Sequence, residues 1–135
     1  MIIALSISMI VVSHLAAPEG VLIVYTEPEP VCDYDLLIKA VTWVESSHGV
    51  NVYNESEQAV GWFQIRQIRV DDYNKRIGNS YKLEDFYDYE LSRKMFLYYA
   101  QKYDSWETIA NRWSGSGHMT INYWNKVQTY LNSIP

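Results

Sequence analysis

The sequence predicts a mainly α fold, a small helical domain with at most a short β-hairpin, and three observations lead there. Apolar residues recur at helical spacing in several separate stretches, the first being Leu36, Leu37, Ala40, Val41 and Val44. At 135 residues and 48% hydrophobic content the chain can build one domain around one core. Strand signal is slight and confined to Val50 to Tyr53 and Ala59 to Phe63.

The chain divides into residues 1–17, 18–33 and 34–135. Met1 to Ala17 is strongly apolar, broken only by Ser6, Ser8, Ser13 and His14, and is short for a membrane span. It reads as a secretory signal peptide cleaved after Ala16 or Ala17, although its start carries no Lys or Arg. An uncleaved anchor that includes Val21 to Tyr25, or a buried segment, are the alternatives. The signal reading makes the protein exported, periplasmic or extracellular, with membrane contact only through this segment. Thr26-Glu27-Pro28-Glu29-Pro30 reads as an extended linker, because its prolines break any helix.

The first helix of the domain is expected over 34–47, with Asp33 at its N-cap and Gly49 as C-cap. A polar loop from Asn51 to Gln58 and the apolar stretch Ala59 to Ile65 follow; Gly61 there permits close approach of backbone or ligand. A second helix is expected over 66–77, with Ile68 and Tyr73 among its apolar residues and Gly78 ending it. Leu83 to Tyr87 is a turn or short helix. Asp88 to Tyr103 is a long amphipathic helix with Leu91, Met95, Tyr98, Tyr99 and Lys102 on one side. Ser105 caps the next helix, which carries Trp106, Ile109, Ala110 and Trp113. Ser114-Gly115-Ser116-Gly117 is a tight loop. Thr120 caps a last helix with Trp124, Val127 and Leu131 inward. There are no internal repeats.

A net charge of −5 argues against nucleic acid as the main partner and gives no electrostatic attraction toward an anionic cell wall. Cys32 is the sole cysteine, so no intrachain disulfide can form, and no cluster of His and Cys suggests a metal. Twelve Tyr and five Trp serve either a Tyr-rich core and surface or a carbohydrate groove, whose aromatic faces pack on sugar rings. Glu45 stands one turn past Val41, at the edge of the apolar face. Partial dehydration there favours the neutral carboxyl and raises its pKa, as a general acid near neutral pH requires.

Glu45-Ser46, Val60-Gly61-Trp62-Phe63-Gln64-Ile65, Arg112-Trp113-Ser114-Gly115 and Tyr123 together resemble the lytic transglycosylases with a goose-lysozyme-like domain. That family's pattern is Glu-Ser at a helix end, Gly-Leu-Met-Gln-Ile about fifteen residues on, then Ala-Tyr-Asn, then a late Tyr. The resemblance spans Leu36 to Leu131. It implies cleavage of peptidoglycan strands between N-acetylmuramic acid and N-acetylglucosamine, with no cofactor and no metal. Glu45 would be the lone acid/base: the substrate's N-acetyl group assists at the anomeric carbon, and its 6-hydroxyl closes a 1,6-anhydro product. Glu55, Glu57, Asp71 and Asp72 would then be solvated surface charges.

The other matched positions carry narrower expectations. Ser46 hydrogen-bonds Glu45 or caps the helix. The family's loop Ser, which binds near the catalytic Glu, falls at Asn54 or Ser56. Gln64 binds substrate or ties two loops together as a buried amide. Trp62 and Phe63 pack. Trp113 floors a sugar subsite or fills core, and Ser114, in place of the family Asn, reaches less far. Tyr123 would bring its hydroxyl toward Glu45, unless it is one more core aromatic. Two other functions remain open: a lysozyme-type hydrolase in which Glu55 or Glu57 activates water, and a catalytically silent glycan-binding module.

Overall fold

Helix α1, Tyr34–Ser46, packs chiefly against the last helix of the chain, Met119–Ser133. The computed structural model describes residues 34–115 and 119–135. The expected signal segment 1–17, the linker 18–33 with Cys32, the Asp33 cap, and Ser116 and Gly117 of the expected loop lie outside the described residues. After α1 come β1 (Tyr53–Asn54), β2 (Ala59–Val60), α2 (Gln67–Ile77), a 3-10 turn (Leu83–Tyr87), α3 (Tyr89–Ala100), α4 (Trp106–Ser114) and α5 (Met119–Ser133). Among the described residues the fold is therefore mainly α, with one two-stranded antiparallel hairpin that pairs Tyr53 with Val60 and Asn54 with Ala59.

Leu37, Ile38, Ala40 and Val41 bury one face of α1 completely or nearly so, while Leu36 and Val44 lie at its margins. Thr42 is also buried, with its hydroxyl donating to the Ile38 carbonyl at 2.9 Å. Gly49 is not the residue that ends the helix. Ser47 and His48 already take left-handed φ values of +52° and +56°, and Gly49 continues the turn at +81°. The Ser46 hydroxyl secures it by donating to the Trp62 carbonyl at 2.8 Å and accepting from the Gly49 N–H at 2.9 Å. His48 fastens this corner to α5: its Nε2 lies 2.8 Å from the Tyr130 hydroxyl.

Gly61 is a site of close approach, and what approaches is backbone. At φ +76°, a Cβ there would stand 2.1 Å from the Phe86 carbonyl oxygen. That oxygen also accepts from the Ser92 hydroxyl at 2.7 Å, so hairpin, 3-10 turn and α3 meet at one point.

In α2 the inward residues are Val70 and Tyr73, while Ile68, on the opposite side of the helix, is 75% exposed. Gly78 ends α2 as expected, left-handed at φ +68° with its N–H on the Asn74 carbonyl. The buried face of α3 is turned from the expected one. Ser92, Met95, Phe96 and Ala100 are inside, while Leu91, Tyr98 and Tyr99 flank them. A serine can point inward because Phe86 satisfies its hydroxyl, and that admits Phe96 a turn later. The helix stops at Ala100, which leaves Lys102 beyond it and exposed. Ser105 caps α4 through its side chain, accepting from the Thr108 N–H, and Ile109, Ala110 and Trp113 are buried. In α5, Val127 is fully buried with Trp124 and Leu131 packed beside the core. Thr120 lies within the described helix Met119–Ser133 and not at a cap.

Candidate active site

The last turn of α1 opens onto a cleft of about 630 Å³ lined by Glu45, Asn51, Tyr53, Asn54, Glu55, Ser56 and Gln64. α1 supplies the acid, the hairpin supplies one wall, and the turn after β2 supplies Gln64. Glu45 is half-buried. Burial is the main influence on its carboxyl and pushes the pKa from 4.5 up to about 7. The hydrogen bond from Tyr123 works against that rise, the charge of Glu57 adds to it, and Arg69 and Arg66 oppose it.

Tyr123, on α5, places its hydroxyl 2.7 Å from Glu45 Oε1. Burial and the adjacent carboxylate hold the phenol well above its usual pKa of 10, so Tyr123 keeps its proton and is the donor in this pair. Arg69 lies behind the pair. Its Nη2 donates to the Trp113 carbonyl at 2.8 Å, and its guanidinium stands 4.1 Å from the centre of the Trp113 ring. Dehydration lowers its pKa, while the charge of Glu45 raises it.

Gln64 sits in the cleft with a left-handed φ of +48°. Its amide nitrogen donates to the carbonyls of Asn51 and Gly61, both at 3.0 Å. It therefore ties the two loops together, and with both N–H groups engaged it can offer a ligand only its oxygen as an acceptor. Asn54 lines the wall and uses Oδ1 to accept from the Ser56 hydroxyl at 2.8 Å and the Glu57 N–H.

Tyr123 touches Glu45 without lining the cleft, and Ser46, Trp113 and Ser114 stand outside it. Ser46 is 1% exposed, and its hydroxyl is held by the main chain of the left-handed turn. Trp113 is 6% exposed, edge-on to Phe63 and Phe96, with its indole N–H on the Phe63 carbonyl; it fills core and offers no ring face to a sugar. The Ser114 hydroxyl donates back to the Asn111 carbonyl, which completes the end of α4. Of the acids, Glu55 faces the cleft, Glu57 stands 3.9 Å from Arg66, Asp71 accepts from Gln67, and Asp72 accepts from Arg76 and Tyr99.

The cleft also holds Asn51 and Tyr53, which sequence reading passed over. Tyr53 is 53% exposed, an aromatic ring on a polar hairpin beside a carboxyl. Its place in the otherwise polar run Asn51 to Gln58 is the signal that could have found it. Arg69 gives no local signal, since it acts on Glu45 by charge from α2, a separate helix. No family model matches the chain, and neither a curated protein nor a solved structure matches it.

Proposed function

We propose that the chain is an exported lytic transglycosylase that cuts peptidoglycan strands between N-acetylmuramic acid and N-acetylglucosamine. The carrying observation is the Glu45 carboxyl, held near pKa 7 at the edge of an open cleft with Tyr123 on one oxygen. At neutral pH such a group is present in both forms, so it can protonate the leaving glycosidic oxygen and then accept a proton. In the second step the carboxylate takes the proton of the muramic 6-hydroxyl as that oxygen bonds to the anomeric carbon. The bond broken is replaced by the 1,6-anhydro bridge, the proton returns to Glu45, and water is not consumed. Tyr123 steadies the carboxylate between the two steps, and exposed Tyr53 supplies a ring on which a sugar can stack.

One observation favours a second reading. Glu55 lines the same cleft, as the water-activating carboxylate of an inverting hydrolase would. Mass spectrometry of the products from purified peptidoglycan separates these readings. Anhydro ends support the transglycosylase, reducing ends support the hydrolase, and absence of cleavage with retained binding leaves a glycan-binding module.

A further inference from the structure

Arg66 stands at the start of α2, two residues after the cleft residue Gln64. Ile65, between them, is fully buried and bridged to Val60. The Arg66 backbone is extended, at φ −104° and ψ 156°, so its side chain leaves on the side opposite Ile65 and reaches the surface. Two neighbours place the guanidinium. Nη1 stands 3.9 Å from Glu57 Oε2, in the hairpin turn next to the cleft residue Ser56. Nη2 stands 4.0 Å from where a Cβ of Gly115 would lie, just past α4. From between the hairpin and the end of α4, its charge acts on the Glu45 carboxyl. Arg66 also borders a hollow of about 240 Å³ that it shares with Ile68, Arg69, Asp72 and Tyr99.

Little in the protein occupies this cation. The Glu57 contact is longer than a hydrogen bond, and both side chains are about half exposed, where an ion pair contributes little. Among the described residues, no hydrogen bond engages any of its five donors. Arg69, about one turn along α2, is the contrast, since its guanidinium is fixed on the Trp113 carbonyl. Asp72, the carboxylate of the hollow, is taken by Arg76 and the Tyr99 hydroxyl.

We propose that Arg66 binds a carboxylate carried by the muramic acid unit of the glycan strand, and so makes the Glu45 cleft prefer an acidic strand over a chain of N-acetylglucosamine alone. The inference rests on the glycan-cleaving reading and adds the residue that selects the substrate. The two polymers share their linkage, ring hydroxyls and N-acetyl groups; the lactyl ether of muramic acid is what differs. Its acid is free in a strand stripped of peptide, and in a peptide-bearing strand the carboxylates of the stem take its place. Either presents two oxygens in one plane, which the paired N–H donors of a guanidinium match.

Calorimetry on the full chain carrying Glu45→Gln, which leaves ligands uncut, tests this with four tetrasaccharides. Two are acidic: an alternating N-acetylglucosamine–N-acetylmuramic acid strand with free lactyl acids, and the same strand bearing L-alanyl-D-glutamate stems. Two are neutral: the strand with its lactyl acids converted to methyl amides, and chitotetraose. At least one acidic strand should bind about tenfold more tightly than either neutral one, the tighter assigning the source of the carboxylate. Adding Arg66→Gln should remove that advantage, with chitotetraose affinity kept within about twofold and the circular dichroism spectrum unchanged. Arg66→Lys keeps the charge and loses the fork, so it should fall between the two. The proposal is overturned if the neutral strands bind as tightly as the acidic ones, or if the folded Arg66→Gln chain keeps the acidic preference; both results leave the glycan reading standing. Binding of none of the four would refute the glycan reading itself, and this proposal with it.

Discussion

Replacing Glu45 by Gln should stabilise the protein, and only at the upper end of its pH range. The folded carboxyl titrates at about 7, against 4.5 for a free one. Below pH 4.5 both states are protonated and the residue does not distinguish them. As pH rises from 4.5 to about 7 the unfolded chain ionises freely, while the folded chain keeps its proton because the site is dehydrated, so stability is lost across that window. Each pH unit between the two pKa values is worth about 1.4 kcal/mol, so the loss is roughly 3 kcal/mol by pH 8. Glutamine keeps the shape, still accepts from Tyr123 and never ionises. At about 4 °C per kcal/mol for a domain near 100 residues, Glu45→Gln should melt roughly 10 °C above wild type at pH 8 and within about 1 °C of it at pH 4. Thermal unfolding followed by circular dichroism at both pH values measures this. An equal difference at the two pH values, or a variant less stable at pH 8, would refute the claim that Glu45 is strained by dehydration. The same variant should lose peptidoglycan-cleaving activity by about two to four orders of magnitude, and undiminished lysis by the folded variant would remove the acid/base assignment.

Three further outcomes are expected. Tyr123→Phe removes a hydrogen bond that favours the Glu45 carboxylate, so the pKa should rise and the alkaline limb of the pH–rate profile should move upward by about one pH unit; an acidward move would contradict the geometry. Glu55→Gln and Glu57→Gln, singly or together, should change the rate by less than about tenfold and leave the anhydro product in place, whereas a loss as deep as that of Glu45→Gln would make the enzyme a hydrolase. Gly61→Ala forces a Cβ to 2.1 Å from the Phe86 carbonyl and should lower stability by about 2 kcal/mol or more in a urea titration, with an unchanged midpoint counting against the close approach.

Features written in one or two residues were legible in the sequence. Gly78 ends α2 and Ser105 caps α4, because a left-handed φ and a side-chain acceptor are properties of single residues and their nearest neighbours. The inward face of α3 was legible at Met95 but not in full. Periodicity offers Leu91, Tyr98 and Tyr99, and the choice of Ser92 and Phe96 instead depends on a carbonyl in the preceding 3-10 turn. In the cleft, Glu45 was legible from its place at the edge of an apolar face. Trp113 could be read as platform or core until α2 laid Arg69 over it. The left-handed turn at Ser47 and His48 was not legible, since residues other than glycine adopt that conformation only at a small minority of positions.

The Glu45–Tyr123 hydrogen bond joins residues 78 positions apart. A chain made from its N-terminus thus releases the acid well before the helix that completes it. Until α5 docks, nothing on that side dehydrates the carboxyl, and a solvated glutamate is ionised at neutral pH. A nascent or partly folded chain therefore carries Glu45 as a spent anion with no proton to donate. Dehydration of the carboxyl is thus a property of the assembled domain, and the neutral form of Glu45 is gained only as the chain folds around it.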